Sequence, residues 1–344
     1  MRAAFYEGPG NIRLREIHPT PPQQGEAQLR VAYAGLCGTD RHIFHGKMDW
    51  RVKRPQVIGH ELSGTIVDLG PGVQGWDVGQ RVTVMPLDWC GQCPACRAGH
   101  THICHRLKFL GIDTPGAFQE LWNVPVCTLI PLPDGLPLRL GSLIEPVAVA
   151  CHDVRLANVQ AGERVVVIGG GPVGALIAWV ARTAGADVTI AEIQPGRLRL
   201  LRQWGFQVVD PMATDLMAHI EAESGGAGAD VVFEVSAQPA GIETALKLPR
   251  TRGRVVIVGI FSEPPRVDLF RCFWRELHLI GARVYEREDF ETAIQWADAH
   301  RDALEDLVSA VYPLDRVGEA FHHLEQGAEI MKVLLDCGAS RHEE

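Results

Sequence analysis

The amino-acid sequence predicts an α/β protein in two parts, an irregular β-barrel-like domain followed by a doubly wound parallel sheet. Three observations carry that expectation. Short apolar and polar runs broken by proline and glycine fill the N-terminal part, whereas from about residue 137 strands alternate with helical stretches. The first strand of that second part runs directly into Gly169-Gly170-Gly171-Pro172-Val173-Gly174. The chain of 344 residues also exceeds the roughly 250–300 at which a single core stops growing, so two cores are expected. The expected division is 1–151 for the barrel-like domain, 152–284 for the parallel sheet, and 285–344 for a tail too short for its own core, which returns to the first domain.

In the first part, Ile12-Arg13-Leu14 and Ala27 to Tyr33 alternate with the two-residue period of half-buried strands. Gly64 to Gly70 and Gln80 to Val84 continue the pattern, separated by turn signals such as Pro71-Gly72. Ala148 to Asn158 lacks proline and glycine and has helical spacing. Beyond it, the runs at 164–168, 187–191, 230–235 and 254–258 are nearly continuous and β-branched, as parallel strands covered on both faces should be. Helical stretches at 174–184, 196–204 and 239–248 lie between them, and 278–284 reads as the last strand of the sheet. The tail offers helices at 289–300 and 316–326 and a strand at 332–335.

Composition narrows the function classes. The net charge is −9 and the basic residues are scattered rather than striped, which argues against nucleic-acid and anionic-membrane partners. No apolar run reaches the roughly 18 residues of a membrane span, and the N-terminus meets Glu7-Gly8-Pro9 too early for a signal peptide. The expected location is cytoplasmic. Nine cysteines are an odd number, and four of them crowd between positions 90 and 104. In a reducing compartment that pattern indicates metal rather than disulfides.

Three motifs carry chemistry. Gly169, Gly171 and Gly174 fit GxGxxG between a strand and an unbroken helical stretch, and the next strand ends on Glu192, close to the ~20-residue spacing of a dinucleotide fingerprint. Such a loop, with Pro172 and Val173 between its last two glycines, lets the backbone approach a pyrophosphate and the following helix point its N–H groups at it, and a carboxylate at Glu192 accepts ribose hydroxyls and repels a 2′-phosphate, favouring NAD. Arg197 is the counter-signal, since an arginine just past that position can receive a phosphate. Cys90, Cys93, Cys96 and Cys104 give CxxCxxCx7C, which suits a closed tetrahedral zinc of structural role, with an iron–sulfur cluster as the alternative. The third motif is Cys37 upstream of Gly59-His60-Glu61, with Cys37 and His60 as the obvious pair for an open catalytic zinc.

With these residues in view, the chain resembles the zinc-dependent medium-chain alcohol and polyol dehydrogenase family over its whole length. The resemblance rests on Gly59-His60-Glu61 with Gly64 and Gly70, Cys37 through His42, the four-cysteine loop, Glu145-Pro146, and the nucleotide loop with Glu192. It implies a GroES-like β-barrel catalytic domain joined to a Rossmann domain, two zinc ions per chain, and NAD. It also implies that Cys37 and His60 ligate the catalytic zinc, with Glu61 and Glu145 as the further carboxylates of that site. Glu145-Pro146, where simple alcohol dehydrogenases have cysteine, points to the sorbitol/threonine dehydrogenase-like branch. The implied reaction is oxidation of a secondary alcohol in a polyol, sugar or sugar acid to a ketone, zinc acting as Lewis acid on the hydroxyl. Thr39 would hydrogen-bond the substrate oxygen and His42 would pass the proton onward through the cofactor ribose. Rival readings are an L-threonine 3-dehydrogenase-like amino-alcohol enzyme and, from another class, a nucleotide-binding member without catalytic zinc. Relatives imply a homodimer or homotetramer joined through the Rossmann edge strand.

Several residues are given plainer readings. Asp40 is expected to cap a helix, and the remaining histidines to be solvated or packed. Arg51, Lys53 and Arg54 read as a solvated loop, the sharper reading being a contact between Arg51 and a substrate carboxylate or phosphate. Phe109, Phe118 and Glu120 fall in the region that lines the substrate pocket in relatives.

Overall fold

Alternation over its first half marks Glu26–Leu36, the central strand of the first unit: Ala27, Leu29 and Val31 are fully buried, while Arg30 is exposed. The computed structural model describes residues 1–327 and 329–338. Met1–Glu145 and the described residues from Glu286 onward form one compact unit, and Pro146–Tyr285 forms the other. The boundary expected at 151/152 therefore falls inside a helix, Ile144–Ala157, that begins in one unit and runs into the next.

In the first unit, Glu26–Leu36 is flanked by Glu61–Leu69 on one side and Lys332–Asp336 on the other, both antiparallel to it. Two registers bring their ends together. Gly35 is opposite Glu61, and Leu36 is opposite Val333, so the end of one strand and the heads of two others meet at one place. Further strands extend this into a seven-stranded sheet, and a three-stranded sheet containing Arg2–Gly8 accompanies it. Such bulged, mostly antiparallel sheet fits the irregular barrel the sequence implies.

The second unit holds six parallel strands in the spatial order Gln207–Val209, Asp187–Ala191, Arg164–Ile168, Ala229–Glu234, Pro249–Ile257, His278–Gly281. The chain builds outward in one direction from Arg164–Ile168 and then in the other, so the order reverses between that strand and Ala229–Glu234. The valines and isoleucines of Arg164–Ile168, Asp187–Ala191 and Ala229–Glu234 are buried.

Two elements of this unit escape periodicity arguments. Gln207–Val209 has only three residues, too few to show alternation. Helix Leu269–Arg275 buries none of its residues fully and turns only the partly buried Cys272 to the core, too little for a stripe to read. A third, Leu216–Glu223, did carry a start signal: Asp215 accepts hydrogen bonds from the N–H groups of Met217 and Ala218 at 3.0 and 3.2 Å.

Candidate active site

Cys37 follows the central strand directly and caps the short helix Gly38–Phe44. His60 and Glu61 stand at the head of the neighbouring strand. The donor atoms of Cys37, His60 and Glu61 all lie within 4.8 Å of one another, and the histidine and glutamate are buried. Glycines make this possible. Gly59 has φ +99°, and a Cβ there would meet the Phe118 ring at 2.4 Å, while Gly111 and Gly116 press against its carbonyl. A Cβ on Gly35 would lie 2.1 Å from Glu61 Oε2, so the carboxylate occupies space that only glycine leaves open.

Electrostatics at this cluster favour a cation. The Asp40 carboxylate accepts the Cys37 N–H at 2.8 Å, which is the expected helix cap, and its other oxygen faces His60 Nδ1 at 3.7 Å. Asp40 Oδ1 and His60 Nδ1 are buried without a hydrogen-bond partner among the described residues, a combination that calls for an explanation in a native core. Burial alone would lower the pKa of His60, yet Asp40, Cys37 and Glu145 outweigh it and push it up to about 10. Burial in turn raises Asp40 to about 6. A buried pocket of one thiol, one imidazole and several carboxyls that holds positive charge this strongly is a donor set suited to zinc.

Glu145, in the first turn of Ile144–Ala157, is buried, and its charge is felt at both His60 and Lys332. Thr39 and His42 lie on the Gly38–Phe44 helix, both half-buried. Burial lowers the pKa of His42, reinforced by the positive charges of Lys47, Arg41 and His45, so its imidazole is neutral at working pH. Phe109 stands edge-on to His60 with ring centroids 5.3 Å apart. Glu120 instead is spent on Arg2 at 2.6 Å. Arg51 is likewise committed, its guanidinium bonding Asp113 at 2.6 and 2.7 Å, so the substrate-anion role considered for it gives way to an internal pair.

The four cysteines form a separate cluster in the same unit. Cys104 Sγ lies 3.5 Å from Cys90 Sγ and 3.8 Å from Cys93 Sγ, and all four sulfurs fall within 4.8 Å of one another. A tetrahedron with Zn–S bonds of about 2.3 Å has edges of about 3.8 Å, so the sulfurs stand where such an ion would hold them. No cysteine is in a disulfide. The N–H groups of Gln92 and Cys93 bring Cys90 down to about 6, a thiolate at neutral pH.

In the second unit, Gly169 (φ +103°) turns the chain out of its strand, and Gly171 precedes helix Pro172–Thr183 with Pro172 at its first position. A Cβ on Gly174 would lie 1.9 Å from the Gly169 carbonyl, which is the close helix–strand packing the third glycine permits. Val173 sits in the first turn of that helix. Glu192 accepts N–H bonds from Gly170, Ile193 and Gln194 at 2.7–2.9 Å, and Arg197 Nη1 approaches it to 3.9 Å.

Comparison with known proteins agrees with this chemistry. The alcohol dehydrogenase GroES-like domain family matches residues 23–134, and the zinc-binding dehydrogenase family matches residues 172–299. The 2-dehydro-3-deoxy-L-galactonate 5-dehydrogenase of Pseudoalteromonas atlantica is 48% identical over 99% of this chain and 100% of its own. The chain belongs to the zinc-dependent medium-chain alcohol and polyol dehydrogenase family. This dehydrogenase is also 32% identical to the L-galactonate-5-dehydrogenase of Escherichia coli, over 93% of this chain and 94% of that one. A solved alcohol dehydrogenase of Escherichia coli CFT073 complexed with NADH superposes with a TM-score of 0.89 at 28% identity, covering 98% of this chain and 99% of that one.

Sequence reasoning about this dehydrogenase misses one residue at the centre of the site. Lys332 opens the strand Lys332–Asp336, is buried, and places its Nζ 2.6 Å from each carboxylate oxygen of Glu61, with a further bond to the Leu36 carbonyl at 3.2 Å. Burial disfavours its charge, but Glu61, Cys37 and Glu145 more than restore it, and its pKa is raised. The available signal was a lysine heading a run of Val-Leu-Leu, a charge placed where a buried strand should start.

Proposed function

We propose that this dehydrogenase oxidises a secondary hydroxyl of a sugar acid, of the 2-dehydro-3-deoxy-hexonate type, to a ketone with NAD as acceptor. The observation that carries the reading is the end-to-end match at 48% to a 5-dehydrogenase of that substrate class, together with the buried Cys37–His60–Glu61 cluster. Cys37, His60, Glu61 and Glu145 would hold the catalytic zinc, and Cys90, Cys93, Cys96 and Cys104 a second, structural one. Zinc bound there supplies Lewis acidity that makes the substrate alkoxide accessible near neutral pH.

The chain's own groups do the rest. Thr39, two residues past Cys37, would hydrogen-bond the substrate oxygen, giving up its own hydroxyl proton as it takes the substrate's, and neutral His42 on the same helix would pass the released proton onward. Lys332 compensates the charge of Glu61, so the carboxylate can stay buried beside the reacting centre. A nicotinamide cofactor bound at the glycine loop would supply the hydride acceptor, and the proton would leave to water. Glu192 supports NAD over NADP, because a 2′-phosphate would meet its carboxylate, while Arg197 is already drawn to that same carboxylate.

The edge strand His278–Gly281 and the exposed aromatic face of helix Leu269–Arg275 support a homo-oligomer. Phe270, Phe273 and Trp274 are 64%, 74% and 71% exposed on that helix, and a two-fold copy would pair the strand and cover the aromatics. Among the described residues no helix is long and apolar enough to cross a membrane. Nine unbridged thiols support a reducing, cytoplasmic setting.

Assay of 2-dehydro-3-deoxy-L-galactonate, L-galactonate, sorbitol and L-threonine with NAD and NADP, read at the nicotinamide absorbance, tests the reading. The highest kcat/KM is expected with the deoxy sugar acid and NAD. Preference for L-threonine would overturn the substrate class, and preference for NADP the cofactor assignment.

A further inference from the structure

Two turns at the carboxyl edge of the parallel sheet are tied together by one residue. Glu234 closes strand Ala229–Glu234 and is fully buried. Its main-chain carbonyl accepts the N–H groups of Val258 and Gly259, each at 2.9 Å, from the turn that follows Pro249–Ile257. Its carboxylate fixes the other turn: Oε1 accepts the Ser236 N–H at 3.0 Å and the Ser236 hydroxyl, and Oε2 accepts the Ala237 N–H at 3.3 Å. The slot around the carboxylate has no spare room. A Cβ on Gly241 would lie 2.7 Å from Oε1, and one on Gly259 would lie 2.6 Å from Oε2.

The fold has accepted two costs to keep this arrangement. Ala237 holds φ +54°, the left-handed region that a residue with a Cβ avoids. A carboxylate is buried with neutral donors alone recorded on its oxygens, and burial raises its pKa. Strain and buried charge kept together at one turn point to a shape that function requires.

The position identifies the function. Strand order reverses between Arg164–Ile168 and Ala229–Glu234, which is where an open α/β sheet binds a dinucleotide across its carboxyl edge. The turn held by Glu234 touches the nucleotide loop itself, since a Cβ on Gly169 would lie 3.0 Å from the Ser236 nitrogen. Glu192 and the helix after the glycine loop lie on the Asp187–Ala191 side and take the adenosine half. The opposite side, formed by the two turns tied to Glu234, is left for the nicotinamide half.

We propose that Glu234 is a positioning residue for the nicotinamide half of the cofactor, shaping the Ser236–Gln238 and Val258–Gly259 turns into one wall. The inference rests on the reading of Gly169–Gly174 as a dinucleotide loop. An amide cannot replace the carboxylate, because its NH2 would face the N–H of Ser236 or Ala237, donor against donor.

The test is fluorescence titration with NADH beside calorimetric titration with ADP, which reports the adenosine half alone. For Glu234→Gln the NADH Kd is expected to rise about tenfold or more while the ADP Kd stays within about twofold. Gly241→Ala, which crowds the carboxylate, and Ser236→Ala, which removes one donor, are expected to show the same split at about threefold. These two variants decide the matter if Glu234→Gln does not fold. Unchanged NADH affinity, or equal loss for both probes, would overturn the proposal. A wild-type protein that binds neither probe would overturn the reading of the loop, and this inference with it.

Discussion

Two clusters in the first unit are suited to a metal, and they are built in opposite ways. The four-cysteine cluster is local: a single loop from Cys90 to Cys104, folded around the short helix Pro94–Arg97, supplies every donor. The Cys37–His60–Glu61 cluster is assembled from the ends of two paired strands, a third strand brings Lys332 to it, and the Glu61–Lys332 pair spans 271 residues of sequence. A set of four thiols closes around an ion and leaves nothing for substrate, which makes it a staple. A mixed set, with a compensating ammonium and carboxylates at its margin, keeps room and charge for a reaction. Mounting it on strands rather than on a loop fixes the geometry that chemistry requires.

The sharpest way to break this comparison is to remove one ligand from each cluster. Cys37→Ser is expected to lose about one zinc equivalent and to lower kcat/KM by ~10³-fold or more, corresponding to several kcal/mol of Lewis-acid stabilisation. Cys93→Ser is expected to lose about one equivalent as well, but mainly to lower thermal stability, with activity per folded molecule retained. Metal analysis with kinetics on both variants checks it, and loss of both metals from either variant would refute the division of roles. Glu145→Ala should follow Cys37→Ser.

The next largest effect separates the clusters by their charge compensation. Removing one partner of a buried ion pair leaves an uncompensated charge, at a cost of about 3–5 kcal/mol. Lys332→Met is therefore expected to destabilise the protein by about that amount in denaturant unfolding, and Lys332→Met with Glu61→Gln to recover much of it. If the double variant is as unstable as the single one, the pair is not what Lys332 is there for.

How far the sequence could be read follows the same divide. The cysteine loop and the glycine loop are contiguous, so spacing alone exposes them, and the β-branched runs of the parallel sheet announce themselves as buried strands. Cys37 and His60 are legible because each stands in a short motif. Lys332 is not, because only the register that sets Leu36 against Val333 brings it to Glu61, and register is a property of the folded sheet. The same holds for Asp40, readable as a helix cap, whose second oxygen turns toward His60 only in three dimensions. Helix Leu269–Arg275 was hidden for the opposite reason, having one partly buried residue, Cys272, against the core and no apolar stripe to pattern its sequence.

A gentler probe of the strand-built cluster is Gly35→Ala. The added Cβ would stand 2.1 Å from Glu61 Oε2, and that carboxylate is pinned by Lys332, so it cannot swing away freely. Overpacking of this kind costs about 1–3 kcal/mol. Reduced stability with a lower affinity for zinc in competition with a chelator is the expected result. A wild-type zinc affinity would mean that Glu61 has little say in holding the ion.

The smallest expected effect concerns the proton rather than the metal. His42 can accept a proton only as neutral imidazole, and burial together with Lys47, Arg41 and His45 lowers its pKa below the ordinary 6.5. Acceptance is therefore intact at neutral pH and is lost as pH falls through that lowered value, which puts an acid limb of kcat/KM below pH 6.5. His42→Gln should lose about tenfold at pH 7, less than the ~10²-fold typical of a group that meets the substrate directly, because on the proposed route His42 would receive the proton second-hand and water could replace it. The variant should also lose that limb. A limb that persists unchanged in His42→Gln belongs to another group, and the proton then leaves the site by a route that does not pass through this helix.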